Sequence, residues 1–257
     1  MEIFAQLIVS GIAVGGVYAL IALGFVLIYK ATSVINFATG EFMMLGAYVC
    51  LTLLTYLKIP FAVVFTFTLL FAFVLGVAIE RVILRPLIGE PIISVIMVTI
   101  GLSSILKGLA HMIWTADFRS FPEILPAEPW DLGFAIVPSA LKWGFIFAIV
   151  GVILFTLLFK YTRMGIAMRA NASDQQVAQS MGISAKVIFA LSWSFAACAA
   201  ALGGIVIGNI SGIHPQLGLV GLRVLPVVIL GGLDSVGGAI LGGFIIGILE
   251  NLAGGYI

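Results

Sequence analysis

The sequence predicts an all-α fold, a polytopic bundle of transmembrane helices. Of its 257 residues, 62% are hydrophobic and only 9% are charged, whereas soluble domains carry about 25% charged residues. The first apolar run, 3–29, contains no charge and is longer than the roughly 7 to 15 apolar residues of a signal peptide. We therefore expect this run to remain as a membrane span. Residues 1–257 are expected to form a single transmembrane domain with about seven or eight membrane segments.

Six apolar runs are close to the roughly 20 residues that a helix needs to cross the hydrocarbon core. They are 5–29, 42–57, 61–79, 92–114, 139–159 and 187–209. Residues 31–41 are too short and too polar to cross, and residues 219–233 would cover only about 20 Å at 1.5 Å per residue. We expect both segments to be broken or half-crossing helices. Pairs of glycines four residues apart, such as Gly11 with Gly15, predict close helix packing.

The charges indicate an orientation. Residues 160–186 form a polar island between two apolar runs and hold four cations and one acid, so we expect this loop on the cytoplasmic side. Counting spans outward from the island places seven cations on that side: Lys30, Arg81, Arg85, Lys160, Arg163, Arg169 and Lys186. The acidic loop 117–138 and the N-terminus are then expected outside, and Glu41 near the inner surface.

Within the island, residues 173–182 predict a short helix at the membrane surface. Ser173 is expected to be its N-cap, with Gln176 completing a capping box and Asp174 in the first turn, where the helix dipole favours an anion. Gly182 is expected to end the helix in a left-handed conformation.

The same short helix is predicted to have one apolar face. Val177 and Met181 are four residues apart, with Ala178 and Ile183 beside them. Because the helix has no core of its own to cover, we expect this face to bind a partner.

The island resembles the cytoplasmic coupling loop of ABC-importer permeases, in which a small residue lies four positions before a glycine, as Ala178 and Gly182 do here. Four further blocks resemble the H-type permeases of branched-chain amino acid importers. They are INFATGEF (35–42), IERVILRP (79–86), YTRMGIAMRA (161–170) and LGGLDSVGGAILGG (230–243). The blocks occur in the family's order, but the family's leucine-rich closing helix has no counterpart after the glycine-rich block.

The resemblance implies a permease subunit of an ATP-driven importer in the bacterial cytoplasmic (inner) membrane, carrying branched-chain or related amino acids. Its implied partners are an M-type permease, two ATPase subunits and an external substrate-binding protein. The residues implied to couple to the ATPase are Ser173, Asp174, Gln176, Val177, Ala178, Met181 and Gly182. Relatives that carry urea or short amides leave those substrates as an alternative.

The chain is not expected to be an enzyme. The sequence contains no Gly-Lys dipeptide, no HExxH and no CxxC, so it has no phosphate-binding Walker loop and no recognisable metal or redox motif. We expect no catalytic residues and no cofactor or metal bound by this chain. ATP and Mg²⁺ would be bound by the partner subunits.

Polar residues inside the membrane are costly and are therefore candidates for the translocation pathway. The first candidates are Asn36, Thr39, Gly40 and Glu41, which interrupt the apolar pattern; Asp234, between two glycine pairs, is the next. Glu41 could instead stabilise the start of the following helix, an effect of about 0.3–1 kcal/mol. Broken helices with an intramembrane carboxylate also occur in ion-coupled secondary transporters, so that class stays open.

Overall fold

The computed structural model describes residues 2–57, 59–122, 126, 128–131, 133 and 135–256. Its helices, numbered in chain order, are α1 (Glu2–Thr32), α2 (Thr39–Leu57), α3 (Phe61–Ile79), α4 (Ile92–Trp114), α5 (Ser139–Tyr161), α6 (Arg163–Ser173), α7 (Gln175–Ser180), α8 (Ala185–Ser211), α9 (Leu219–Arg223), α10 (Leu225–Gly231) and α11 (Val236–Tyr256). A π-helical turn (Glu80–Leu84) and a 3₁₀ turn (Arg85–Leu87) extend α3, and a second 3₁₀ turn (Pro215–Gly218) precedes α9. Two short strands, β1 (Trp130–Asp131) and β2 (Ile136–Val137), pair antiparallel between α4 and α5.

Within these residues, seven helices are long and apolar enough to cross a membrane, namely α1, α2, extended α3, α4, α5, α8 and α11. An eighth apolar segment, Pro215–Gly231, is shorter and is broken into successive turns and helices. The prediction of an all-α bundle with seven or eight segments is therefore confirmed. The span α11 was missing from the six predicted runs, because its glycines lower both its apparent hydrophobicity and its helix propensity.

The buried centre of the bundle is formed mainly by α1, α2 and α8. Small residues allow the surrounding helices to approach this centre closely. A Cβ atom on Gly15 of α1 would lie 2.8 Å from the Gly243 carbonyl oxygen of α11, and one on Gly76 of α3 would lie 2.6 Å from the Ser194 Cα of α8. Such contacts replace the hydrophobic driving force that lipid does not supply. The exposed apolar residues of α3, α4 and α5 lie on the outside of the bundle.

Both ends of the bundle can be identified from contacts. The Gln6 side chain of α1 donates to the Ile136 carbonyl (2.6 Å) and accepts from the Ile136 N–H (2.8 Å). Arg119 and Ile213 exchange backbone hydrogen bonds of 2.9 and 2.7 Å. The start of α1 and the end of α8 therefore lie with the α4–α5 connection, at the end of the bundle opposite α6 and α7.

Candidate functional site

The two segments expected to be broken helices pack against each other. Helix α2 begins at Thr39 after a non-helical stretch, and the second 3₁₀ turn and α9 lie across its start. A Cβ atom on Gly40 would overlap the Gly218 carbonyl oxygen, and one on Gly221 would lie 2.5 Å from the Gly40 Cα. The two segments therefore meet backbone to backbone. At membrane depth, irregular backbone is tolerated only where it packs against protein or lines water.

Asn36 holds the start of α2 in place. Its Oδ1 accepts from the Ala38 N–H (3.0 Å), and its carbonyl accepts from the Thr39 hydroxyl (2.9 Å). Thr99 of α4 accepts from the Phe37 N–H at 3.3 Å. Asn36 is buried, and within the described part of the chain its Nδ2 has no hydrogen-bond partner. The break thus combines a satisfied backbone with one amide donor that is free to bind.

Glu41 lies in the first turn of α2 and is only 6% exposed. One of its carboxylate oxygens would be 3.0 Å from a Cβ atom on Gly218, and Ser103 of α4 is its polar neighbour. Ser103 is at the midpoint of α4, which spans Ile92–Trp114. Glu41 is therefore deeper than the predicted position near the inner surface, because α2 begins inside the bundle. Its position is compatible with both a pathway carboxylate and stabilisation of the helix start.

Asp234 does not belong to this cluster. It is exposed in the turn between α10 and α11, where its Oδ1 lies near Gly232 (φ +92°). The main packing partners of α2 are α3, α4, α8, α9 and the second 3₁₀ turn. The neighbouring glycines instead allow α10 and α11 to pack closely, since a Cβ atom on Gly242 would lie 2.5 Å from the Val227 carbonyl oxygen.

The N-cap of α7 is Asp174, and the prediction that Ser173 caps it is wrong. Asp174 Oδ1 accepts from the backbone N–H groups of Gln176 (2.9 Å) and Val177 (3.0 Å). Ser173 is the last residue of α6, and its hydroxyl donates to the Arg169 carbonyl at 3.1 Å. The sequence pattern does not predict α6, so the predicted cap lies one residue too early, and the predicted capping box between Ser173 and Gln176 does not form.

The C-terminal end of α7 has the predicted geometry. Gly182 has φ +84°, its N–H donates to the Gln179 carbonyl (2.9 Å), and the Ile183 N–H donates to the Ala178 carbonyl (3.0 Å). This pair of bonds is a Schellman motif. Caps at both ends therefore stabilise a helix that is too short to be stable alone.

The apolar residues of α7 point in two directions rather than forming one face. Ala178 is buried (4% exposed) and Ile183 packs partly against the core of the chain itself. Val177 and Met181 are 59% and 79% exposed. The surface available to a partner, called the coupling surface below, therefore consists of Val177 and Met181, and Ala178 fixes α7 to its own chain.

Comparisons with known proteins match nearly the whole chain. A family model described as "Branched-chain amino acid transport system / permease component" matches residues 7–257. The chain is 30% identical to the high-affinity branched-chain amino acid transport system permease protein LivH of Escherichia coli (strain K12), covering 99% of this chain and 87% of that protein. It is 30% identical to the corresponding permease protein BraD of Pseudomonas aeruginosa (96% and 85% covered) and 31% identical to a probable LivH of Methanocaldococcus jannaschii (93% and 77% covered). No solved structure matches.

Proposed function

Since the chain belongs to the family of permease components of branched-chain amino acid transport systems, we propose that it forms part of the transmembrane pathway of an ATP-driven importer for branched-chain or related amino acids. The substrate proposal is supported by the names of relatives that are similar over nearly the full chain. The broken helices that meet at Gly40 are the part of the structure suited to a pathway, because they combine buried polar groups with an interrupted backbone.

The proposed importer has further subunits. A second, M-type permease completes the pathway, an external protein delivers the substrate, and two ATPase subunits bind ATP and Mg²⁺. Closure of the ATPase dimer would push on the coupling surface and so move α7. The spans attached to α7 would then reorient.

The proposed orientation follows from charge. The end of the bundle with α6 and α7 carries Lys160, Arg163, Arg169 and Lys186, and it is placed in the cytoplasm by the positive-inside rule. The start of α1, where Gln6 is bonded to Ile136 at the opposite end, is then outside, and so is the N-terminus. The chain is a multi-pass membrane protein, and we place it in the bacterial inner membrane.

The alternatives are less well supported. An ion-coupled secondary transporter has no ATPase to bind. In that class, the exposed Val177 and Met181 of α7 would have no binding partner. Urea or short amides would use the same architecture, and binding measurements on the external protein would distinguish them from amino acids.

The observation that supports coupling most directly is the exposure of Val177 and Met181 on a helix that is capped at both ends. In Met181→Asp, docking would bury an unpaired carboxylate at a cost of several kcal/mol. The matched control is Gln179→Asp, which adds the same charge to an exposed residue on the opposite side of α7. We expect Met181→Asp to reduce leucine uptake at least about tenfold and to lose the ATPase subunits on co-purification, with Gln179→Asp close to the parent. Uptake and co-purification at the level of the parent in both Met181→Asp and Gln179→Asp would exclude the coupling role.

A further inference from the structure

Two oppositely charged side chains are exposed on the flank of the bundle formed by α9 and α11. Arg223 is the last residue of α9, and Glu250 lies in the second half of α11. Arg223 Nη1 and Glu250 Oε1 are 3.9 Å apart, and the two side chains are 67% and 42% exposed. Nothing in the coupling role or in the Gly40 contact uses these charges.

Both residues lie at the depth of the hydrocarbon core. Gly221, two residues before Arg223, packs against Gly40, which adjoins Glu41 at the level of the midpoint of α4. Gly247, three residues before Glu250, packs against Gly15 of α1. Gly15 is nine residues, about 14 Å, along α1 from Gln6, which is bonded to the α4–α5 connection. Glu250 is therefore about 9 Å inside that end of the bundle, whereas half of the core is about 15 Å thick. Exposed charges at this depth are not left against lipid. This flank must therefore face an aqueous cavity or another protein.

The geometry leaves both charges able to bind. A separation of 3.9 Å is too long for a hydrogen bond, and within the described part of the chain the Arg223 guanidinium donates none. A guanidinium has five N–H donors in a fork that matches a carboxylate. The buried side chain of Tyr18 is a neighbour of the Glu250 carboxylate. A cation and an anion are thus presented side by side, with a phenol group next to the anion.

We propose that Arg223, Glu250 and Tyr18 form an intramembrane site for the charged ends of a zwitterionic amino acid. The substrate's α-carboxylate would bind the Arg223 fork, and its α-ammonium would bind Glu250 beside Tyr18. This inference rests on the proposed function, and it specifies the substrate class: a neutral amide or urea has no full charge to pair with either group.

The test uses the complete importer, with its partner permease, ATPase subunits and binding protein, reconstituted in proteoliposomes. Uptake of radiolabelled leucine and ATP hydrolysis stimulated by the loaded binding protein are measured for Arg223→Gln, Arg223→Lys, Glu250→Gln and the exchange Arg223→Glu with Glu250→Arg. Arg81→Gln and Glu90→Gln serve as matched controls, since both residues are exposed outside this flank. Co-purification of the subunits reports assembly.

We expect Arg223→Gln and Glu250→Gln each to reduce leucine uptake at least about tenfold while the complex still assembles. Uptake by Arg223→Lys should lie between that of Arg223→Gln and that of the parent. The exchange variant should not regain uptake, because it swaps the positions of the cation and the anion relative to the carboxylate and the ammonium of the substrate. Recovery in the exchange variant would show a structural ion pair and overturn the proposal, as would uptake within twofold of the parent in both neutralised variants. Absence of leucine uptake by the parent importer would instead reject the proposed function.

Discussion

The contact between α2 and α9 predicts a large effect for a very small substitution, Gly221→Ala. The added Cβ atom would lie 2.5 Å from the Gly40 Cα, whereas ordinary contacts begin at 3.4 Å. The two backbones must therefore separate by about 0.9 Å. Both partners are main chain, so no side-chain rotation can relieve the overlap.

Forcing extra atoms into a packed interior typically costs about 1–3 kcal/mol. For a chain of this size, each kcal/mol shifts the melting temperature by about 2–4 °C. Gly221→Ala is thus expected to lower the melting temperature by roughly 2 to 12 °C. Gly40→Ala would overlap the Gly218 carbonyl oxygen in the same backbone contact and should lower the melting temperature at least as much.

The assay is thermal unfolding of the detergent-solubilised chain followed by tryptophan fluorescence. Gly101→Ala is the matched control, because no atom lies within 4 Å of its added Cβ and alanine has the higher helix propensity. The double variant Gly40→Ala with Gly221→Ala tests the contact itself. Once one methyl group has separated the backbones, the second should cost less than it does alone.

Two results would refute this reasoning. If Gly221→Ala melts within about 1 °C of Gly101→Ala, the backbones do not approach as the structure has them. If the effects of Gly40→Ala and Gly221→Ala simply add, the two residues act at independent sites.

Three further predictions concern charge, capping and sidedness. Glu41→Gln should retain assembly but change leucine uptake, since it keeps the shape and removes a buried charge; unchanged uptake would leave Glu41 as a stabiliser of the start of α2. Asp174→Ala should destabilise α7 by about 1 kcal/mol and increase hydrogen exchange at Gln176 and Val177, whereas Ser173→Ala should not; equal exchange in both would contradict the assignment of the cap. Cysteines at Ser173 and Glu128 should react with impermeant reagents from opposite sides of the membrane, with Ser173 reached from the cytoplasm, and labelling from one side would show that the span count is wrong by one.

The sequence was sufficient to predict the fold class and to locate two interruptions of the apolar pattern, although residues 33–38 form a non-helical link between α1 and α2 rather than a broken helix. Residues 31–41 and 219–233 were recognised because polar residues or short length interrupted the apolar pattern. Their mutual contact could not be predicted, since nothing in the local pattern connects Gly40 with Gly218 or Gly221. Close approach of two backbones depends on how distant helices pack, and glycines only permit it.

The errors at α7 and α11 have local causes. Serine and aspartate are both good N-cap residues, so the choice between Ser173 and Asp174 depended on where the preceding helix ended. That helix, α6, begins with Thr162 accepting from the Gly165 N–H at 3.1 Å, and its mixed composition gave no clear periodicity. In α11, abundant glycine concealed a span whose small residues are what allow it to pack on α1.

The position of α8 connects the proposed coupling surface with the proposed pathway residues at the start of α2. The chain turns at Gly182 and enters α8 at Ala185, and this helix then continues without interruption to Ser211. Along its length, a Cβ atom on Gly204 would overlap the Met43 carbonyl oxygen of α2, only two residues beyond Glu41. A packed helix moves as a rigid element rather than compressing. A displacement applied at Val177 and Met181 would therefore reach the start of α2 through direct backbone contact, without requiring a chain of side-chain rearrangements.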